Sequence, residues 1–200
     1  MLGSWNMKKL LAIIVLGLFC SYSVLADNIK NYEIEGMSIG DSLLDFMSES
    51  EIKNNEIKYW GNKKKKYSVT GIINNLNTYN QVEVYYKSKD KKYKIEQIAG
   101  MMFIDNLDEC LQERETIIKS FGSSFSNLEK NTAVLDYAPD KTGKSKQHQV
   151  SYFFNKKNSN MRVECVQFSQ KMKKEERGRN HLNVTASSDK ITTWAMKGYK

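Results

Sequence analysis

Residues 107–121, LDECLQERETIIKSF, constrain the fold more than any other stretch of this chain. Leu107, Cys110, Leu111, Ile117, Ile118 and Phe121 recur at three- and four-residue spacing, so they make one apolar stripe of an amphipathic helix that another layer must cover. Both ends are marked. Asn106 and Glu109 stand where side chains satisfy the first free N–H groups, and Gly122 stands where a left-handed residue closes a helix. Cys110 belongs to the stripe and therefore faces inward. A second cysteine, Cys165, lies in MRVECVQFS, whose alternation marks a strand with Val163 and Cys165 on one face. A bond between Cys110 and Cys165 would fasten the helix to that strand, which calls for a helix packed on a sheet.

The rest of the chain supplies the sheet. KKYSVTGII, QVEVYY and KYKIEQIAGMMFI alternate, and the polar run KSKDKKY between the second and third suits a hairpin, so the pair is antiparallel. After the helix, TAVLDY, HQVSYFFN and MRVECVQFS repeat the habit, separated by APDKTGKSK and KKNSN. HLNVTAS reads as a last strand. Residues 170–180 read as a charged connector with one or two exposed helical turns, and SDKITTWAM as a terminal helix with Ile191 and Trp194 inward. An earlier helix is expected from about Ile39 to Ser48, where Ile39, Leu43, Phe46 and Met47 fall at helical spacing behind a Ser38–Asp41 cap, and SESEIKNN adds a short second one. The fold class is thus α+β: an antiparallel β-sheet packed by two main helices, in which a helix followed by about three strands occurs twice. The two units are a pseudo-repeat over 38–104 and 106–187 within a single domain, 27–200.

Lys8 and Lys9 precede the apolar run Leu10–Phe19, and Val24-Leu25-Ala26 ends in a small residue, which is the pattern of a secretory signal peptide over 1–26 with cleavage between Ala26 and Asp27. Met7 fits the pattern as a start. Phe19 stands where a lipid-bearing cysteine at position 20 needs a small neighbour, so Cys20 is not expected to be acylated. The apolar run is shorter than the ~20 residues of a membrane span, so no transmembrane segment is expected in the mature chain. Removing residues 1–26 takes away Lys8 and Lys9, leaving 29 basic and 23 acidic residues on 174 residues. The location implied is periplasmic or secreted, where Cys110 and Cys165 would pair as a disulfide. With 18 asparagines and one proline, Pro139, the lysine excess reflects an AT-rich coding bias as much as a function.

Candidate chemistry is sparse. Gly40-Asp41-Ser42-Leu43 resembles the opening block of the GDSL or SGNH hydrolases, whose serine ends a buried parallel strand and is activated by a histidine three residues after an aspartate. Here YEIEGMSI precedes the block instead of an apolar run, Ser145 lies three residues before His148, and Gly178 three before His181. A serine without a base is unactivated, so Ser42 reads as part of a helix start, with Ser42→Ala nearly neutral. Asp140 and His148 are the nearest approach to a metal pair, and a solvated loop carboxylate beside a strand-entry imidazole accounts for them. Asp105, Asp108 and Glu109 suit the positive end of a helix. No catalytic, cofactor-binding or metal-binding residue is assigned. Lys63, Lys64, Lys65 and Lys66, flanked by Tyr59, Trp60 and Tyr67, are the candidate contact with an anionic surface. Aromatic residues closing VEVYY and VSYFF fall on both faces of their strands, which points to a binding face unless helices cover both sides.

The stretches IEGMSIGDSLLDFM and DECLQE, the VEC of the later strand and the terminal tryptophan region resemble a set of uncharacterised secreted proteins from AT-rich alphaproteobacterial genomes. The GMSIGDSL segment also resembles the start of SmpA-type outer-membrane assembly lipoproteins, which implies a helix packed on a three-stranded antiparallel sheet in the first half. The expected role is a non-catalytic binding or scaffolding module of the cell envelope, without cofactors, whose partner is an envelope protein or an anionic envelope component rather than nucleic acid. The alternative is a GDSL-type esterase, or an enzyme whose site no local motif reveals.

Overall fold

The computed structural model describes residues 29–59, 66–121, 125, 127–154, 158–175 and 178–198. The leader with Ala26 and Asp27, the lysines Lys63, Lys64 and Lys65, Trp60, and the helix-ending Gly122 lie outside the described residues.

A two-residue hairpin opens the fold: β1 (Glu33–Ile34) turns through Glu35 and Gly36 into β2 (Met37–Ser38). Both turn residues have positive φ, 52° and 78°, the geometry of a tight hairpin turn that glycine tolerates and glutamate adopts at a cost. The Glu35 carboxylate explains the choice. It accepts hydrogen bonds from the backbone N–H groups of Asn77, Thr78 and Tyr79 at 2.9, 2.7 and 3.1 Å, anchoring the loop that enters the main sheet. Those donors hold its carboxyl below the ordinary carboxylate range, against the opposing effect of burial.

The chain continues through α1 (Glu49–Asn54), β3 (Tyr67–Ile72), β4 (Gln81–Lys87) and β5 (Ile95–Met102) to α2 (Leu107–Ser120). Then follow β6 (Glu129–Asp136), β7 (Lys146–Phe153), β8 (Asn160–Gln167), α3 (Gln170–Lys174), β9 (His181–Ser187) and α4 (Asp189–Met196). The strands β3 to β9 form one seven-stranded sheet in the order β3-β4-β5-β9-β8-β7-β6, antiparallel at every pairing. Two meanders, β3 to β5 and β6 to β9, meet where β9 pairs with β5. The last strand in sequence is therefore the central one in space, and six of its seven residues are buried.

One face of the sheet carries the apolar core. Val82, Val84, Ile98, Val184, Val163 and Val150 lie on it, covered by α2, by the hairpin and by Leu43 and Ile52. The stripe expected on α2 is the one it buries, and Asn106 caps it by accepting from the Glu109 N–H at 3.0 Å. Cys110 and Cys165 are at bonding distance with their Cα atoms 6.0 Å apart, inside the range a disulfide spans. Helix and sheet are stapled as the alternation of MRVECVQFS implies. The α4 helix also forms where expected, with Ile191 and Trp194 buried and the Trp194 ring 4.9 Å from that of Tyr67.

The helix expected from Ile39 to Ser48 does not form. The segment is instead bonded to the approach to β5: Gly40 N–H donates to Ile95 O at 2.8 Å, Ile95 N–H to Asp41 O at 2.9 Å, and Leu43 N–H to Tyr93 O at 3.1 Å. Gly40 has φ +98°, outside any helix. Only a single 3-10 turn, Leu43–Asp45, follows, and its cap is Ser42 rather than Ser38. Leu43 is buried as the spacing requires, but Phe46 is 45% exposed. The short α1 helix does form, closed by a Ser48–Glu51 capping box. The 170–180 connector contains the short α3, which is less exposed than its charge implies, because Met172 is buried against Val166 and Phe168.

Candidate functional site: the polar face of the sheet

Alternation that puts valines on one face puts polar residues on the other, and here that second face is not left to solvent. The register aligns Glu83, Ala99, Thr185, Arg162 and Ser151 as one row across β4, β5, β9, β8 and β7. A neighbouring row runs Gln81, Met101, Asn183, Glu164 and Gln149. Glu83 and Glu164 are each 2% exposed and Thr185 is fully buried.

Two helices enclose the ends of this face. At one end α4 sets Ile191 and Trp194 against Tyr67 and Tyr85. It is held there by Asn158 N–H donating to Asp189 Oδ1 at 3.0 Å, Asn160 Nδ2 to Thr192 Oγ1 at 3.1 Å and Ser188 Oγ to Glu96 Oε2 at 2.6 Å. At the other end α3 packs Met172 with Val166, Phe168 and Tyr137. The turn before β7 ties to α3 through Asp140, which accepts from the Ser145 hydroxyl at 2.5 Å while that hydroxyl accepts from the Ser169 N–H at 2.9 Å. Hydrogen bonds from Ser145 and Thr142 hold the Asp140 carboxyl well below the ordinary carboxylate range. Its oxygens are spent on this turn, and His148 sits on β7 opposite Cys165. Among the described residues no group of three His, Cys, Asp or Glu side chains is placed to hold a metal ion.

Between the helices the polar groups form two clusters. The Glu83 carboxylate accepts from the Tyr59 hydroxyl, from the Tyr85 hydroxyl at 3.0 Å and from Gln81 Nε2 at 3.1 Å. Burial pushes its carboxyl up, and the three donors oppose that rise. The same burial pushes both phenols far above their ordinary range, so they serve as donors. Glu164 accepts from Gln147 Nε2 and from Asn183 Nδ2, each at 3.3 Å, with Arg162 Nε at 3.3 Å as its ion-pair partner.

Four atoms on this face are buried without a hydrogen-bond partner: Asn183 Oδ1 and Thr185 Oγ1 on the central strand, Arg162 Nε, which keeps its ion pair with Glu164, and Tyr67 Oη under α4 at one end. Leaving a buried polar atom unmatched costs about 1–3 kcal/mol, and native proteins keep few such atoms without a reason. All four lie on this one face. The opposite, apolar face has none among the described residues.

The residues singled out by local motifs are elsewhere. Ser42 Oγ donates to Lys92 O at 2.8 Å and accepts from the Leu44 N–H at 3.2 Å, so its hydroxyl is engaged in holding a turn to the approach to β5. Asn180, next to His181, is structural: it joins two segments by donating to Asp105 O and accepting from the Phe168 N–H, each at 2.8 Å. Of the lysine run only Lys66 is described; it lies over the Tyr67 ring at 5.9 Å. The aromatic Tyr85, on the second face as the alternation requires, is packed by α4 rather than left open. Sequence reasoning missed Glu83, Arg162, Glu164, Asn183 and Thr185. Their trace was present: acids in mid-strand within QVEVYY and RVECVQ, and polar residues at every second position of HLNVTAS, with the strands RVECVQ and HLNVTAS each followed by a segment able to cover that face.

An antiparallel α+β protein with one apolar and one enclosed polar sheet face is the class that fold and site define. No family model matches the chain, and no curated protein or solved structure matches it significantly. Among the described residues no helix is long and apolar enough to cross a membrane.

Proposed function

We propose that the protein is an exported, non-catalytic binding module of the bacterial cell envelope, and that the polar face of its sheet receives a small neutral saccharide. The leader-like start, with Lys8 and Lys9 before Leu10–Phe19, and the resemblance to secreted alphaproteobacterial proteins support the periplasmic placement. The observation that carries the binding role is the set of unmatched buried atoms amid a row of charged and amide side chains. Their chemistry selects the ligand class. Asn183 Oδ1 is an acceptor and the neighbouring Thr185 hydroxyl both donates and accepts, beside the Arg162–Glu164 pair. A sugar hydroxyl donates and accepts at once, so a neutral polyol matches this mixture. An anion does not, because Arg162, the one arginine of these two rows among the described residues, is already ion-paired with Glu164. A cation does not, because Glu83 already accepts three hydrogen bonds.

The competing enzyme reading rests on Ser42, whose hydroxyl is already committed to Lys92 O. Thermal unfolding of the purified protein with cellobiose, maltose or N,N′-diacetylchitobiose, in parallel with a p-nitrophenyl ester assay, separates the two. At a hundredfold excess over Kd, binding raises stability by about 2.7 kcal/mol, readable as several degrees in Tm. The expected outcome is such a shift with at least one sugar and no ester turnover. Absence of any shift across the panel, or turnover lost in Ser42→Ala, contradicts the proposal.

A further inference from the structure

The two edges of the sheet are treated differently. Beside β3 the chain lays down a cover: Ile57 N–H donates to Val69 O at 2.8 Å and Gly71 N–H donates to Asn55 O at 3.0 Å, with Glu56 bridged to Thr70. Beside β6 there is no cover among the described residues. Seven of its eight residues are exposed, and Val134 and Leu135, at 62% and 45%, project apolar side chains on opposite faces of the same edge. The strand contains no proline, glycine or bulge, and its register with β7 is unbroken from Glu129 to Asp136. An open strand of this length is a template for another strand unless it is blunted by charge in its middle. Here the charges sit at the ends, Glu129 and Lys130 at one and Asp136 at the other, while Asn131-Thr132-Ala133-Val134-Leu135 is uncharged.

We infer that β6 pairs antiparallel with β6 of a second copy of this chain, joining two sheets into one across a twofold axis at Ala133. Charge complementarity picks both the occupant and the register. With Ala133 opposite itself, Lys130 faces the partner's Asp136, whose carboxylate also pairs with Lys146 of its own chain at 2.5 Å, and Asp136 faces the partner's Lys130. Thr132 then faces the partner's Val134, a β-branched pair on the face that carries the apolar core. A slip of two residues loses both charge pairs and sets Lys130 against the partner's Val134, or Thr132 against its Asp136. A twofold interface repeats each such contact, so the favourable pair and its loss both count twice. The pairing leaves the polar face of each protomer on the same side of the joined sheet, and it does not depend on what that face binds.

Sedimentation velocity over a concentration series, with charge-swap and cysteine variants, tests the pairing. The wild type is expected to dimerise, Lys130→Asp to weaken the dimer by about tenfold or more, and Lys130→Asp combined with Asp136→Lys and Lys146→Asp to restore it, because the cross-strand pairs become matched again and the pair between positions 136 and 146 is kept with its charges reversed. Ala133→Cys is expected to form a covalent dimer on mild oxidation, since directly opposed Cα atoms about 4.5–5.5 Å apart fall within disulfide range. Asn131→Cys serves as the control, because position 131 faces 135 of the partner and does not cross-link to itself. A protein that stays monomeric throughout, or a dimer indifferent to Lys130→Asp and not captured by Ala133→Cys, overturns the inference. So does a strand from a different protein occupying β6 while the isolated chain remains monomeric.

Discussion

Replacing Cys110 and Cys165 together by alanine is expected to lower stability by about 3–5 kcal/mol and Tm by roughly 10 °C. The disulfide closes a sequence separation of 55 residues that contains most of α2 and the whole of β6 and β7. Without it the unfolded chain regains the freedom of that loop, worth about 4 kcal/mol in the chain-entropy account. The folded protein also loses two buried sulfurs at the contact between α2 and β8, which adds a packing loss. Alanine is preferred to serine because it leaves no unmatched hydroxyl in the core. Reducing the wild type with dithiothreitol should reproduce most of the shift. A drop of only a degree or two in both experiments would mean that α2 holds to the sheet by packing alone.

Leu43→Ala is expected to cost about 2–5 kcal/mol, the range for emptying a fully buried leucine site. Its neighbour gives the contrast. Ser42→Ala removes the bond to Lys92 O and the cap on Leu44 N–H, both exposed, and is expected to cost about 1 kcal/mol. That exceeds the near-neutral effect expected for a first-turn helical serine, because the structure gives Ser42 a tertiary partner fifty residues away. Chemical denaturation of both variants checks the order. If Ser42→Ala proves the more destabilising, the account of this turn fails.

The 39–48 segment departs from its expected helix for a specific reason. Ile39, Leu43 and Met47 do have helical spacing, and Ile39 and Leu43 are both buried in the core, but spacing cannot reveal that the backbone of Gly40, Asp41 and Leu43 is claimed by Tyr93 and Ile95. Tertiary hydrogen bonds outcompeted local propensity over a stretch too short to nucleate a helix by itself. Where the pattern was long and doubly capped, as in α2, or strictly alternating, as in β8, it could be read directly. The disulfide followed from those two elements, because a cysteine on each buried face needs only the two faces to meet. The polar site was harder. Alternation assigns Glu83, Glu164 and Thr185 to the second face, and a second face is ordinarily solvated. Only the placement of α3 and α4 over opposite ends of that face turns an outward row into an enclosed one.

Thr185 offers the most direct measurement of the claim that this enclosed row is a binding site. Its hydroxyl is fully buried and unmatched, so Thr185→Val replaces it with a methyl group of similar shape. If the row exists to receive a ligand, Thr185→Val should raise the Tm of the ligand-free protein, by an amount equivalent to about 1 kcal/mol, while abolishing the shift produced by the saccharide that stabilises the wild type. Ser42→Ala, measured beside it, should keep that shift. A Thr185→Val protein that is less stable yet still responds to the sugar would contradict the account.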